Sequence, residues 1–179
     1  CLPHNLKKEH ELSVNNNLLT NIFFSPNSAF LASSSNGTSI ILWDIKTGKK
    51  KFVMQSHSDY ITDIAFSKDS SLLASASRDH SIILWDTKIG KKAHILLGHN
   101  KEVFAIDFSP NGKVLASSSP DRSIILWDTK TGKKIHSFQD ISGNQYYWLS
   151  YSLDGNLLIV RQSSGREPFV LWNIVAKKK

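Results

Sequence analysis

The hexapeptide SIILWD stands at Ser39–Asp44, at Ser81–Asp86 and at Ser123–Asp128, letter for letter, each copy 42 residues after the last. A fixed period of this size constrains a chain more than its composition does. Each unit is one supersecondary element, and it buries its apolar face only by stacking on its neighbours. The frame extends well beyond the hexapeptide. HSDYITDIAFSKDSSLLASASRDHSIILWDTKIGKK (His57–Lys92) lies over HNKEVFAIDFSPNGKVLASSSPDRSIILWDTKTGKK (His99–Lys134), and Asn15–Lys50 fits the same register. A fourth, degraded copy follows as YWLSYSLDGNLLIV and PFVLWNI, with two extra residues before PFVLW.

Each unit reads as β structure. YITDIAF, LLASAS and SIILWD are short, rich in β-branched and aromatic residues, and separated by turn wording such as SPNG, SRDH and DTKTGK. A fourth strand follows in KKAHILL (Lys91–Leu97) and KKIHSF (Lys133–Phe138). No useful stretch carries helical periodicity. The prediction is four antiparallel strands per unit, joined by tight turns.

Composition narrows the function classes. With 40% hydrophobic and 21% charged residues the chain resembles an ordinary globular protein. No apolar run reaches the roughly 20 residues of a membrane-spanning helix, and the N-terminal CLPHNLKKEHEL has no signal-peptide core. One cysteine permits no internal disulfide and fits a reducing compartment, so an intracellular, cytoplasmic location is expected. Asn36–Thr38 matches the glycosylation pattern but reads as a turn. There is no phosphate-binding glycine loop and no paired Cys/His spacing, so neither cofactor nor metal is expected.

The pattern GH…FSPNG…LASSSxDxSIILWD resembles the WD-repeat family, whose units are the blades of a β-propeller. Four phased tryptophans (Trp43, Trp85, Trp127 and Trp172), three of them followed by Asp, carry the resemblance from about Leu6 to Lys179. It implies an all-β fold of four four-stranded blades, with SIILWD as the third strand, wedging an indole between neighbouring sheets. The expected divisions are 1–14, an outer strand of a preceding or closing blade; 15–56, 57–98 and 99–140, blades 1 to 3; and 141–179, blade 4 without its outer strand.

Repeat two holds His57, Ser75 and Asp79 near Trp85, and repeat three holds His99, Ser117, Asp121 and Trp127 at the same spacing. Ser-His-Asp sets invite a hydrolase reading. Active sites are rarely duplicated in adjacent units, whereas braces must be. The resemblance implies that these residues pin the strand-two/strand-three turn to the loop entering the blade, with Ser77 an alternative hydroxyl. The outer copies are incomplete. Repeat one offers Asn15 and Gly37 at the His and Asp positions, and repeat four offers Val160 and Ser164 at the Ser and Asp positions.

Propellers have 4 to 8 blades, and the resembled family usually has seven, at about 51° each. Four such blades would form a partial ring with an apolar face bare at each end, completed by self-association or by belonging to a longer protein, of which this would be a C-terminal fragment. The family's usual partner contacts fall on Leu18, Thr20 and Asn36; Tyr60, Thr62 and Arg78; Glu102, Phe104 and Pro120; and Gln145, Tyr147 and Ser163. Aromatics and Arg often anchor interfaces, which favours Tyr60, Arg78, Phe104 and Tyr147.

The opposite rim is basic. Thirteen of the 22 Lys and Arg residues lie in the strand-three/strand-four turns (Lys46, Lys49–Lys51, Lys88, Lys91, Lys92, Lys130, Lys133, Lys134) or in the tail Lys177–Lys179, within a net charge of +7. No aromatic platform interleaves them, so a solvated edge is favoured over nucleic-acid binding. The expected function is a noncatalytic scaffold that docks protein partners. The alternatives are anionic-polymer binding on the lysine rim and a hydrolase using the His/Ser/Asp sets.

Overall fold

A computed structural model of the chain describes residues 8–12, 19–35, 37–140, 143–162 and 169–174. Those residues form fifteen strands and no helix. The first sheet is β1 (Leu19–Phe24), β2 (Phe30–Ser35), β3 (Ser39–Asp44) and β4 (Lys49–Gln55). The second is β5 (Ile61–Phe66), β6 (Leu72–Ser77), β7 (Ser81–Asp86) and β8 (Lys91–Leu97). The third is β9 (Ala105–Phe108), β10 (Val114–Ser118), β11 (Ser123–Asp128) and β12 (Lys134–Gln139). The fourth is β13 (Tyr146–Tyr151), β14 (Leu157–Gln162) and β15 (Phe169–Asn173). Each is an antiparallel meander with strands in chain order. Each SIILWD copy is a third strand, as its branched aliphatics and indole dictate.

Local chemistry sets the turns. Between strands one and two, a serine hydroxyl donates to the carboxamide or carboxylate two residues on: Ser25 to Asn27 (2.8 Å), Ser67 to Asp69 (2.6 Å) and Ser109 to Asn111 (2.8 Å). The same hydroxyls accept from the N–H that opens the next strand, at 2.9–3.0 Å. The strand-three/strand-four turn needs glycine twice over. Gly132 sits at φ +70°, and a Cβ there would lie 2.8 Å from Cγ of His94 on the preceding blade.

Three apolar layers separate the four blades. Between blades 1 and 2, Ala32, Ile40, Leu42 and Met54 meet Ile61, Ile64, Leu73, Ile83 and Trp85. Between blades 2 and 3, Ile82, Leu84 and Leu96 meet Ile106, Phe108, Leu115, Ile125 and Trp127. Between blades 3 and 4, Ile124 and Leu126 meet Tyr146, Leu149, Leu158 and Val160, with Phe138 packed on Trp172. Trp85, Trp127 and Trp172 thus face the blade before their own, in the wedge the repeat implies. Polar bonds join neighbouring blades as well: Asn21 Nδ2 donates to the Thr62 carbonyl (3.2 Å), and the Val103 N–H donates to the Ser77 carbonyl (3.0 Å).

Among the described residues the blades form an arc that does not close into a ring. Lys8–Leu12, read from sequence within an outer strand, is not in a strand. A strand needs a neighbour to pair with, and the described residues supply none there. The segment still packs on blade 1. A Cβ on Gly48 would lie 2.6 Å from Cγ of His10, the relation that His94 has to Gly132.

Candidate functional site

The His/Ser/Asp sets sit at the mouths of blades 2 and 3 with nearly the same geometry. In blade 2 the two ring nitrogens of His57 meet Asp79 Oδ2 (2.9 Å) and Ser75 Oγ (2.8 Å), and the Trp85 indole N–H donates to that same Oγ (2.9 Å). In blade 3, His99 meets Asp121 (3.0 Å) and Ser117 (2.7 Å), and Trp127 donates to Ser117 (2.8 Å). The carboxylates also accept backbone N–H groups: Asp79 from Ser58 and Ser81, Asp121 from Asn100 and Ser123. The loop entering each blade is thereby tied to its strand-two/strand-three turn.

Burial is the largest influence on Asp121 and pushes its pKa up. The donors outweigh it: His99, the Ser123 hydroxyl and the Asn100 N–H hold the carboxyl well below its usual range. Asp79 is lowered in the same way, against burial, by Ser81, the Ser58 N–H and His57.

Ser81 and Ser123 are members the sequence reading missed. Their hydroxyls donate to Asp79 and Asp121 at 2.6 Å and lie 3.2 and 3.0 Å from the His57 and His99 Nδ1 atoms. The signal was present, since both are the serine that opens SIILWD. Ser75, not Ser77, meets the histidine; Ser77 donates instead to the Asp59 carbonyl (3.0 Å).

The spacing of Ser, His and Asp is that of a hydrolytic triad, but Ser75 and Ser117 are 0% exposed. Each hydroxyl is engaged by its own imidazole and indole and is closed off from solvent. The outer blades keep less of the arrangement. Trp43 still donates to Ser33 (2.9 Å). In blade 4, where Val160 stands at the serine position, the buried Trp172 N–H has no hydrogen-bond partner among the described residues.

The rim above these braces carries the other candidate residues. Arg78 is exposed and lies over the Tyr60 ring, 5.6 Å from its centroid. Phe104 and Tyr147, from neighbouring blades, meet edge to face with centroids 5.2 Å apart. Thr62 donates to the Val103 carbonyl across the blade junction, Glu102 is half-buried, and Pro120 is buried. The Tyr147 hydroxyl donates to Gln145. Thr20 lies in β1, while Leu18, Asn36 and Ser163, like Asn15 and Ser164, lie outside the described residues.

On the opposite rim, Asp44, Asp86 and Asp128 cap their own turns through Thr47, Lys88 and Thr131. Lys51 lies over Phe30, 4.1 Å from the ring centroid, and Lys50 over Trp43 at 5.4 Å. These stems cover apolar edges. No group of three or more His, Cys, Asp or Glu side chains able to hold a metal occurs among the described residues.

Antiparallel meanders of three or four strands wedged side by side by repeated indoles, the middle two braced at the mouth by His, Ser and Asp, define propeller blades. The family model for the WD domain, G-beta repeat (WD40), matches residues 6–44, 48–86 and 90–128, and the chain belongs to that family. Its repeats generally mediate protein–protein interaction and are typically noncatalytic. A search of curated proteins found no match.

Proposed function

We propose that the chain is a noncatalytic docking module whose rim at Tyr60, Thr62, Arg78, Glu102, Phe104 and Tyr147 receives a protein partner inside the cell. One observation carries this reading. Anchors of the kind that dominate interfaces, the exposed Arg78–Tyr60 stack and the exposed Tyr147 packed on a half-buried Phe104, stand above a hydrogen-bonded base. The full burial of Ser75 and Ser117 favours it over the hydrolase reading.

The bare faces of blades 1 and 4 support self-association as a second part of the proposal. The lysine rim is read as a solvated edge whose stems shield aromatic rings.

Photo-crosslinkers at positions 60 and 78, compared with positions 88 and 130 on the opposite rim, test the docking site in cells. Crosslinks to one protein from the first pair only, lost in Tyr60→Ala/Arg78→Ala at an unchanged Tm, are expected. Equal labelling from both rims would overturn the assignment. Light scattering tests self-association, with Leu171→Asp expected to give the monomer.

A further inference from the structure

The concave side of the arc holds a groove of about 330 Å³ walled by the innermost strands. Phe23 and Phe24 of β1, Phe66 of β5 and Trp148 of β13 line it, together with the carboxylates of Asp63 and Asp107. Asp63 Oδ2 accepts the Ile106 N–H (3.0 Å), and its Oδ1 accepts the Ile64 N–H (2.9 Å). Asp107 Oδ2 accepts the Tyr151 N–H (2.8 Å) and the Ser150 hydroxyl (3.0 Å). These dipoles orient the two carboxylates but bring no positive charge. Neither carboxylate is in an ion pair among the described residues, and no Lys, Arg or His lines the groove.

Such an arrangement is costly. Burial pushes Asp63 up to about 7, with the neighbouring Asp107 adding to the rise, and burial raises Asp107 as well. Two desolvated like charges without a counter-ion, in a chain of net charge +7, form a site complementary to a cation. The walls select the kind. A hard divalent ion needs about six oxygen ligands, and this groove offers two carboxylates already engaged by N–H groups. A weakly hydrated organic cation gains from aromatic faces instead. About 330 Å³ lies at the small end of ligand-site volumes.

We propose that this groove binds an organic cation, a substituted ammonium whose charge rests against Asp63 and Asp107 and whose alkyl groups lie on Phe23, Phe24 and Trp148. The cation belongs either to a free amine or to a lysine side chain of a protein. The site is separate from the docking rim and does not depend on it.

NMR titration of the full chain, read at the Trp148 indole, tests the site with three probes. These are choline, its neutral isostere with carbon in place of nitrogen, and a capped pentapeptide bearing one lysine. Saturable shifts are expected with a cationic probe, and binding of the neutral isostere about tenfold weaker or worse. Asp63→Asn and Asp107→Asn should each weaken cation binding about tenfold. Among the described residues, the titratable groups lining the groove are these two carboxylates, with Lys68 and Tyr151 lining the adjoining groove that shares Asp107. A proton on Asp63 competes with the cation, so affinity should rise between about pH 6 and about pH 8.

Tighter binding of the peptide assigns the cation to a protein, and tighter binding of choline to a free amine. Should an Asn variant misfold, Trp148→Leu, altering a side chain 45% exposed, probes the same groove. The proposal is overturned by an absence of saturable shifts, by equal binding of the isostere, or by variants that bind cations like the parent.

Discussion

One sequence position has two fates in this molecule. Ile64, Ile106 and Leu149 occupy equivalent places on the first strands of blades 2, 3 and 4 and are 1%, 4% and 3% exposed; Ile22, their counterpart in blade 1, is 50% exposed. On the third strands, Leu42, Leu84 and Leu126 are at most 9% exposed, whereas Leu171 is 65% exposed. Side-chain chemistry is nearly constant across each set, so burial comes from the neighbouring blade and not from the residue. A repeat protein is stabilised mainly through its interfaces, and its end faces retain the same chemistry unused.

Truncation across that contrast gives the largest expected effect. Leu84→Ala should cost about 2–5 kcal/mol in denaturant unfolding, because it empties a packed junction. Leu171→Ala should stay within about 0.5 kcal/mol. Similar losses from the two would break the comparison.

The braces are the next target. His57→Ala or Asp79→Ala should destabilise by more than about 1 kcal/mol, leaving buried partners unpaired. Melting curves identical to the parent's would remove the bracing role.

Asp121 adds a pH test. Its folded pKa is depressed below the unfolded value of 3.8, so its contribution is complete above that value and is lost as pH falls through the lower folded value. Asp121→Asn should therefore flatten the acid limb of the stability–pH curve. Asp63 has the opposite sign, being raised to about 7 by burial. Its ionisation opposes folding as pH rises from about 4 to about 7, so Asp63→Asn should stabilise most above about pH 7 and little near about pH 4. A parent-like curve for Asp63→Asn would contradict the burial of that carboxylate.

A subtler comparison sets blade 2 against blade 1. Ser75→Val strands both His57 and Trp85, while Ser33→Val strands Trp43. Losses of about 2 and about 1 kcal/mol are expected by thermal unfolding. Equal losses would mean that the imidazole contributes nothing to the brace.

Much of this was legible in the sequence because the repeat wrote it three times. The phase of SIILWD located the third strands, and the spacing of His57, Ser75 and Asp79 from Trp85 located a brace. Ser81 and Ser123 escaped notice because they belong to the hexapeptide itself, where a small residue reads as strand-edge wording. Asp63 and Asp107 escaped for a different reason. They lie 44 residues apart, out of phase with the period, and come together only because strand one of each blade lines the same concave wall.

The sequence by itself determined the blade: alternation, turn residues and indole spacing are local properties, each satisfied within about 40 residues. Only the tertiary structure decided which faces are covered, which polar atoms meet, and that two carboxylates share a groove with aromatic walls. Those outcomes depend on how one wedge leans against the next, and that geometry is summed over many contacts that no single segment encodes.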